Sequence, residues 1–591
     1  MGPRMRTILF LGAFLFAAAT VSAASRPNVV IFLADDAGWG DYSVNGNTNL
    51  QTPNIDSLAR DGAMLERFYV CPVCSPTRAE MLTGRYHLRG GVRGVSTGQE
   101  RLNLDEKTLA DSFKAAGYAT GAFGKWHNGS QWPFHPNARG FDEYYGFTSG
   151  HWGEYFDPPL ERNGELVRGS GYIADDLTSK ALEFIDRNAA KPFLCYVPYN
   201  TPHSPWAAPA DVWERFKDRP IAMRSEAGEK EPLATTRCAL AMMENLDANV
   251  GRVLRRLDEL KLSENTVVIY FSDNGPNSER WNGAMKGRKG TTDEGGVRSP
   301  LFVRWPGHIP RGTRVKEIAG AIDLLPTLAA MADVRHIGTK PLDGRDLSPL
   351  LTSKPTDWPE RMIFSTWGGK VSARSQRYRL DNAGALYDME ADPSQKKNIA
   401  AQEPAVTSKM AAAQAEWKKE MGMTAMSILP SDDRPHPVGY SEFPTTPLPA
   451  RDGVAEGGIK RSANAPNSSY FVNWKSLDGR ITWDVDVHNT GEYDAVIYYT
   501  APLADAGATI ELSLNGAKLA GKVQPGWDPP LYTNQDTIPR PAGESQMKEF
   551  RPLKLGTIRL EKGRGPLTLR ALEMPGQSVM DVRALYLTLK K

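Results

Sequence analysis

Residues 28–38 read NVVIFLADDAG, and residues 266–275 read TVVIYFSDNG. Each stretch is a run of β-branched, aliphatic and aromatic residues that ends abruptly in acidic and amide side chains. Such continuous hydrophobic runs are typical of strands that are buried on both faces. Helical patterns lie between the two runs, at 108–116, 175–188 and about 236–260. Strands that alternate with helices predict an α/β fold, with a large, mostly parallel sheet flanked by helices.

Polar residues at the ends of both runs predict a cation site. Asp35 and Asp36 follow the first run, and Asp273 and Asn274 follow the second. Ligands of parallel sheets bind beyond the carboxyl ends of the strands, so these side chains are expected at one edge. Neighbouring strand residues point to opposite faces, but a turn at the strand end would bring both aspartates to one ion. Three carboxylates and an amide suit Ca²⁺, with Mg²⁺ as the other option. Taken alone, Asp35-Asp36 is also compatible with a solvated turn.

The rest of the chain predicts further domains, because 591 residues are too many for one ordinary core. Residues 425–469 are rich in Pro, Gly, Ser and Asn, which is typical of a linker. From 470 to 591 apolar and polar residues alternate, and Asn515-Gly516 is a strong signal for a tight hairpin. This last region is therefore expected to be a separate, all-β sandwich domain. Its tryptophans and tyrosines are expected in its core more than on a binding surface.

The N-terminus predicts a secretory signal peptide at residues 1–23. Arg4 and Arg6 precede an apolar run from Ile8 to Ala19, and Val21-Ser22-Ala23 supplies a small-residue cleavage site. The alternative is a retained membrane anchor, but the apolar run is short for a bilayer span. We therefore expect an exported protein, periplasmic or extracellular, with no stable membrane span. The net charge of +2 gives no reason to expect nucleic acid as a partner.

A cysteine motif is followed in order by several other motifs. Residues 74–78 read CSPTR, and residues 82–85 read LTGR. One short motif can match by chance. The others are GKWH (124–127), HPN (135–137), RGFD (139–142), TPHSP (201–205) and KGTTDEGGVR (289–298). Together they resemble the type I sulfatases, which are formylglycine-dependent, arylsulfatase-like enzymes of the alkaline phosphatase superfamily. Thr77 departs from the serine that is usual in the family, but it keeps the hydroxyl.

The resemblance implies a sulfuric ester hydrolase with an alkaline-phosphatase-like sulfatase fold over a catalytic region at 24–424. That region is expected to include a smaller C-terminal α+β part from about 360, with a last helix at about 404–421. The resemblance also implies that a formylglycine-generating enzyme converts Cys74 to formylglycine (3-oxoalanine), whose hydrate attacks the sulfate ester. The metal ligands implied are Asp35, Asp36, Cys74, Asp273 and Asn274. The catalytic residues implied are Cys74, Arg78, Lys125, His127, His203 and Lys289.

The implied roles of these residues agree with the chemistry of a sulfate ester. Its negative charge persists through the transition state, so Arg78, Lys125 and Lys289 would stabilise it. His203 would protonate the departing oxygen, and His127 would take a proton from the formylglycine hydrate. Each residue alone has an ordinary structural explanation, and only the joint pattern favours catalysis.

The substrate is less well defined by the sequence. Residues 129–160 are crowded with rings and polar groups, and His151, Trp152 and Glu154 are expected to contact substrate. Ordinary packing of a long insertion is the alternative. The region at 470–591 loosely resembles carbohydrate-binding accessory modules, which together with export favours a sulfated carbohydrate as substrate. Two other functions remain open: a phosphoester or phosphonate ester hydrolase of the same superfamily, and a catalytically silent glycan-binding protein.

Overall fold

The computed structural model of this chain describes residues 26–352, 357–423 and 432–590. The predicted signal peptide at 1–23 lies outside the described residues. The helices are α1 (Pro53–Arg60), α2 (Cys74–Thr83), α3 (Leu109–Ala115), α4 (Ile173–Asn188), α5 (Ala210–Phe216), α6 (Leu233–Glu259), α7 (Glu294–Val297), α8 (Leu324–Met331), α9 (Ser348–Leu351) and α10 (Pro404–Glu420). In the three described ranges, no helix combines the length and the apolar character that a membrane crossing requires.

An eleven-stranded sheet forms the centre of the N-terminal region. Its strands are β1 (Asn28–Ala34), β2 (Ala63–Tyr69), β3 (Ala119–Lys125), β4 (Glu143–Phe147), β5 (Pro159–Arg162), β6 (Glu165–Arg168), β7 (Phe193–Pro198), β8 (Thr266–Ser272), β9 (Arg298–Arg304), β10 (Thr313–Val315) and β11 (Ala319–Gly320). The order is β10-β2-β9-β8-β1-β7-β3-β4-β5-β6, with β11 also beside β2. The predicted large, mostly parallel sheet is confirmed, and β9 and β5 run antiparallel to their neighbours.

Both faces of this sheet are covered by helices, which explains why its central strands are hydrophobic throughout. In β1, Val30 and Phe32 pack into one core with α1, α4 and α6, whereas Val29 and Ile31 pack into the opposite core with α2, α3 and α8. Successive strand residues point to opposite faces. A strand between two apolar layers therefore needs an unbroken apolar run, as the sequence of β1 has.

A smaller antiparallel sheet follows, made of β12 (Ile363–Trp367), β13 (Lys370–Arg374), β14 (Tyr378–Leu380) and β15 (Leu386–Asp388). The helix α10 packs against β13 and β14. The smaller α+β part of the predicted fold is thereby confirmed; in the structure it begins with β12 at Ile363, and its helix α10 ends at Glu420.

Two six-stranded sheets form the C-terminal sandwich. One contains β16 (His436–Val438), β18 (Val454–Glu456), β21 (Arg480–Val487), β23 (Thr509–Leu514), β24 (Ala517–Lys522) and β26 (Gly563–Glu573). The other contains β17 (Thr445–Pro449), β19 (Lys460–Arg461), β20 (Phe471–Val472), β22 (Gly491–Thr500), β25 (Arg551–Leu560) and β27 (Asp581–Leu589). The hairpin predicted at Asn515-Gly516 joins β23 to β24, and both turn residues have positive φ angles.

The segment predicted as a linker at 425–469 does not behave as one where the structure describes it. It contributes β16, β17, β18 and β19, so the sandwich begins at residue 436 rather than 470. Its proline content suits edge positions: β17 contains Pro447 and Pro449 and pairs only with β27 among the described strands. Trp474 and Trp483 are almost fully buried, in agreement with the expectation that the aromatic residues form core.

Candidate active site

Four neighbouring parallel strands, β8, β1, β7 and β3, deliver side chains to one edge of the large sheet. Asp35 and Asp36 directly follow β1, and Asp273 directly follows β8. Lys125 is the last residue of β3, and His203 lies in the loop after β7. Residues that are far apart in sequence therefore meet because the topology brings these strand ends together.

The chain turns sharply after β1, and this turn unites the two acidic clusters. Asp36 has a φ of +66°, in the left-handed region that few side chains adopt. Its backbone N–H donates to Asp273 Oδ1 at 3.2 Å, across 237 residues of sequence. Its side-chain Oδ1 accepts a hydrogen bond from Asn274 Nδ2 at 2.8 Å. The turn that the sequence required for a shared ion is present.

The acidic cluster has the donor set that a hard cation needs. Among the described residues, Asp35 Oδ1 and Asn274 Oδ1 are buried and have no hydrogen-bond partner. One ligand atom each of Asp35, Cys74 and Asp273 lies within 4.8 Å of the other two. Burial and the neighbouring Asp35 carboxylate raise the pKa of Asp273 to about 6. Unpartnered buried oxygens between crowded carboxylates fit a divalent cation that is bound through oxygen.

Each carboxylate of this cluster is matched by one cationic side chain. Lys125 Nζ donates to Asp35 Oδ2 at 2.6 Å. Lys289 Nζ donates to Asp36 Oδ2 at 2.8 Å. Arg78 donates to Asp273 Oδ2 through Nη2 at 2.8 Å and through Nε at 3.2 Å. Three negative charges thus face three positive ones, so a divalent cation would make the site net positive and suited to an anionic ester.

Cys74 is the first residue of α2 and is buried beside this cluster. Burial raises the pKa of its thiol, against the lowering effect of Lys125 and Lys289, so a thiolate is disfavoured at this position. Thr77 holds the start of α2 in place, because its hydroxyl donates to the Asp273 carbonyl at 2.6 Å and accepts from the Cys71 N–H at 2.8 Å. Threonine serves this purpose as serine would.

The two histidines have defined tautomers because each donates to a backbone carbonyl. His127 Nε2 donates to Val95 O at 2.7 Å, and its buried Nδ1 has no partner among the described residues. His203 Nδ1 donates to Ser204 O at 2.6 Å, which leaves Nε2 facing Asp36 Oδ2 at 3.4 Å. Burial lowers the pKa of His203 to about 3, against the raising effect of Asp36. Burial also lowers the pKa of His127. Both rings are therefore neutral near pH 7.

Of the three residues expected to contact substrate, His151 lies in the site. Its ring stacks on His203, with the ring centroids 5.4 Å apart. Glu154 instead forms an ion pair with Arg583 of the sandwich at 2.6 Å. The same guanidinium group lies over the Trp152 ring, with Arg583 Cζ 5.5 Å from the ring centroid. The sandwich covers this loop, so Trp152 and Glu154 are held at an interface between the two parts of the chain.

Comparison with known proteins identifies the family. The family model "Sulfatase" matches residues 27–334, and the model "N-sulphoglucosamine sulphohydrolase, C-terminal" matches residues 289–423. The first of these covers more than half of the chain. This chain is a member of the Sulfatase family.

Individual relatives agree with this assignment. The chain is 34% identical to N-acetylgalactosamine-6-sulfatase of Canis lupus familiaris, over 60% of this chain and 71% of that protein. It is 33% identical to arylsulfatase A of Homo sapiens, over 64% of this chain and 79% of that protein. A crystal structure of Ps i-CgsB in complex with k-i-k-neocarrahexaose is 30% identical, with a TM-score of 0.61, over 68% of this chain and 94% of that one. The protein is thus a sulfatase, a sulfuric ester hydrolase.

The structure also brings to the site of this sulfatase residues that the sequence did not indicate. Asn467 Nδ2 donates to Val95 O at 3.3 Å, the same carbonyl that His127 uses. Glu544 lies near Ser204 and Lys289: burial raises the pKa of its carboxyl, and these two neighbours lower it. Both residues belong to loops of the sandwich, where no local pattern marks them. Only the docking of the sandwich, which depends on contacts distant in sequence, could have revealed them.

Proposed function

We propose that this sulfatase hydrolyses sulfate esters of carbohydrates with a formylglycine nucleophile derived from Cys74 and a bound divalent cation. The observation that carries the proposal is the arrangement of side chains at the carboxyl ends of β8, β1, β7 and β3, which we call the strand-end edge. There, Asp35, Asp36 and Asp273 meet three cationic side chains around Cys74, and two buried oxygens lack partners. Neither a simple structural ion-pair network nor an ordinary turn accounts for unpartnered buried oxygens beside a buried cysteine.

Asp35, Asp36, Asp273 and Asn274 would hold the cation through oxygen, together with the modified residue 74. Ca²⁺ suits this set, and Mg²⁺ is the other option; when bound, the ion would supply positive charge that favours an anionic ester. Formylglycine supplies an aldehyde whose hydrate is an oxygen nucleophile, and a formylglycine-generating enzyme is the partner that would introduce it.

The remaining steps fall to side chains of this chain. Lys125 and Lys289 would stabilise charge on the sulfate oxygens. Arg78, held by two hydrogen bonds to Asp273 Oδ2, would position residue 74. The free Nδ1 lone pair of His127 suits a proton acceptor. His203 would act as the acid through Nε2, because its Nδ1–H is committed to the Ser204 carbonyl. The neutral ring would first bind a second proton from solvent at Nε2, which faces the Asp36 carboxylate, and would then pass that proton to the departing oxygen.

A carbohydrate substrate is supported by the relatives. N-acetylgalactosamine-6-sulfatase is named for a sulfated sugar, and the crystallised Ps i-CgsB holds an oligosaccharide, k-i-k-neocarrahexaose. The first of these supports a galacto-configured sugar. Export to the periplasm or the extracellular space, expected from residues 1–23, would give the enzyme access to sulfated glycans.

The test compares turnover across ester types. The protein is produced with a formylglycine-generating enzyme and assayed with Ca²⁺ on 4-nitrophenyl sulfate, 4-nitrophenyl phosphate, a phosphonate monoester and N-acetylgalactosamine 6-sulfate. The proposal predicts far higher kcat/KM on both sulfates than on either phosphorus ester. Faster phosphorus ester hydrolysis would favour the phosphoester or phosphonate ester hydrolase. Sugar binding without turnover would favour the silent glycan-binding protein.

A further inference from the structure

Two loops of the sandwich, at 462–470 and 523–550, reach across the domain interface to the loops that carry the histidines. In the first, the Asn467 carbonyl accepts from Ser149 Oγ at 2.8 Å, and Ser468 Oγ donates to the His151 carbonyl at 3.1 Å. This loop therefore runs alongside the segment that leads into His151. It is held there by backbone carbonyl contacts on both sides.

The side chain of Asn467 lies close to His127. Its Nδ2 and His127 Nε2 share Val95 O as acceptor, at 3.3 and 2.7 Å. Gly150 makes this approach possible, because a Cβ at that position would lie 2.2 Å from Asn467 Nδ2 and 2.5 Å from His127 Nε2. Among the described residues, Asn467 Oδ1 is buried without a hydrogen-bond partner. This oxygen is a buried acceptor that a ligand hydroxyl could satisfy.

The second loop reaches the other histidine in a similar way. Arg540 anchors it, with Nη2 donating to Gly153 O at 2.8 Å and Nη1 donating to Ser545 O at 2.6 Å. Glu544, between these anchors, lies near Ser204, the residue that fixes the ring of His203. Burial raises the pKa of the Glu544 carboxyl, while the Ser204 hydroxyl lowers it. Glu544 Oε2 is also buried without a hydrogen-bond partner among the described residues.

We propose that Asn467 Oδ1 and Glu544 Oε2 accept hydrogen bonds from hydroxyl groups of the sugar that carries the sulfate ester. The sandwich would then complete the leaving-group side of the active site instead of acting as a separate sugar-binding module. This inference rests on the proposed carbohydrate substrate. Its physical basis is that a buried acceptor gains most when a ligand hydroxyl replaces a missing partner.

An aryl sulfate distinguishes this role from a structural one, because its ring offers no hydroxyl to either acceptor. Asn467→Ala and Glu544→Gln are compared with Asn534→Ala, an exposed residue of the same 523–550 loop. All are prepared as full-length protein with a formylglycine-generating enzyme and Ca²⁺. We expect kcat/KM on N-acetylgalactosamine 6-sulfate to fall about tenfold in each of the first two variants, mainly through KM. On 4-nitrophenyl sulfate it should change less than about twofold, and the control should match wild type on both.

Two results would overturn the inference while leaving the proposed function intact. Equal losses on both substrates would mean that Asn467 merely supports His127, and no loss on the sugar sulfate would mean that neither acceptor meets the substrate. If Asn467→Ala does not fold, as judged by thermal unfolding, the isosteric Glu544→Gln variant carries the test. A wild-type enzyme that hydrolyses 4-nitrophenyl sulfate but no sugar sulfate would contradict the carbohydrate substrate itself, and this inference with it.

Discussion

The strand-end edge of the large sheet and the loops of the sandwich supply the same site by different routes. At the edge, Asp35, Asp273 and Lys125 are placed by the ends of parallel strands, so the backbone topology fixes their positions. On the sandwich side, Asn467 and Glu544 are placed only by how two domains dock. We propose that the strand ends act on the sulfate group and that the docked loops recognise the sugar to which the sulfate is attached.

Substitution of Cys74, the proposed nucleophile, should have the largest effect. Cys74→Ser removes the residue that we propose is converted to formylglycine, so turnover of every sulfate ester should fall on the order of 10⁴-fold or more. The fold should persist, since the two side chains are similar in size. Steady-state rates on 4-nitrophenyl sulfate measure the loss. Cys238→Ala, in the core on α6, is the control and should retain activity; near-full activity of Cys74→Ser would refute the formylglycine mechanism.

Removal of the cation should have the next largest effect. Chelation would leave Asp35, Asp36 and Asp273 crowded without the proposed cation, so activity should fall about 10³-fold and the thermal unfolding midpoint should drop. Ca²⁺ titration back into the chelated protein should restore both. Asn274→Ala, which removes one of the two unpartnered oxygens, should raise the Ca²⁺ concentration needed for half-maximal recovery. Full activity in excess chelator would show that the acidic cluster serves no ion.

His203→Ala tests whether His203 protonates the leaving group. If Nε2 protonates the departing oxygen, kcat on a sugar sulfate should fall about 10²-fold, because an alkoxide leaves poorly without an acid. The loss on 4-nitrophenyl sulfate should be much smaller, since nitrophenolate leaves readily. Equal losses on the two substrates would argue that His203 acts on something other than the leaving group.

Gly150→Ala tests whether the close approach of the sandwich to His127 matters. The added Cβ must displace either Asn467 or His127, so kcat/KM on sugar sulfate should fall about tenfold. Gly543→Ala is a matched control, because a Cβ at that position meets no atom within 4 Å. Unchanged activity in Gly150→Ala would show that the two side chains need not adjoin.

The smallest expected effect concerns the docking interface itself. Glu154→Gln leaves the half-buried Arg583 unpaired and should lower the free energy of unfolding by about 2–3 kcal/mol. The exposed pair of Arg564 and Asp484 is the comparison, since Asp484→Asn should cost less than about 1 kcal/mol. Denaturant unfolding measures both. Equal, small effects would mean that the ion pair does not secure the sandwich.

Sequence patterns reveal most of the edge because its residues follow short, local rules. The apolar runs of β1 and β8 indicate buried strands, and polar residues directly after them indicate a ligand site. The alternation of apolar and polar residues predicts the sandwich. It does not predict that the sandwich starts at residue 436, because the proline content of the first edge strands resembles that of a linker. The positions of Asn467 near His127 and of Arg583 beside Glu154 depend on how the sandwich docks. No local sequence pattern predicts these contacts.

The central claim is that Cys74 becomes the nucleophile at the strand-end edge, and the mass of one peptide tests it most directly. The tryptic peptide from Phe68 to Arg78 contains Cys74 and can be isolated from protein produced with a formylglycine-generating enzyme. The account predicts a mass in which an aldehyde replaces the thiol of Cys74, in the same preparation that hydrolyses sulfate esters. Active protein whose peptide retains an intact Cys74 thiol would contradict it.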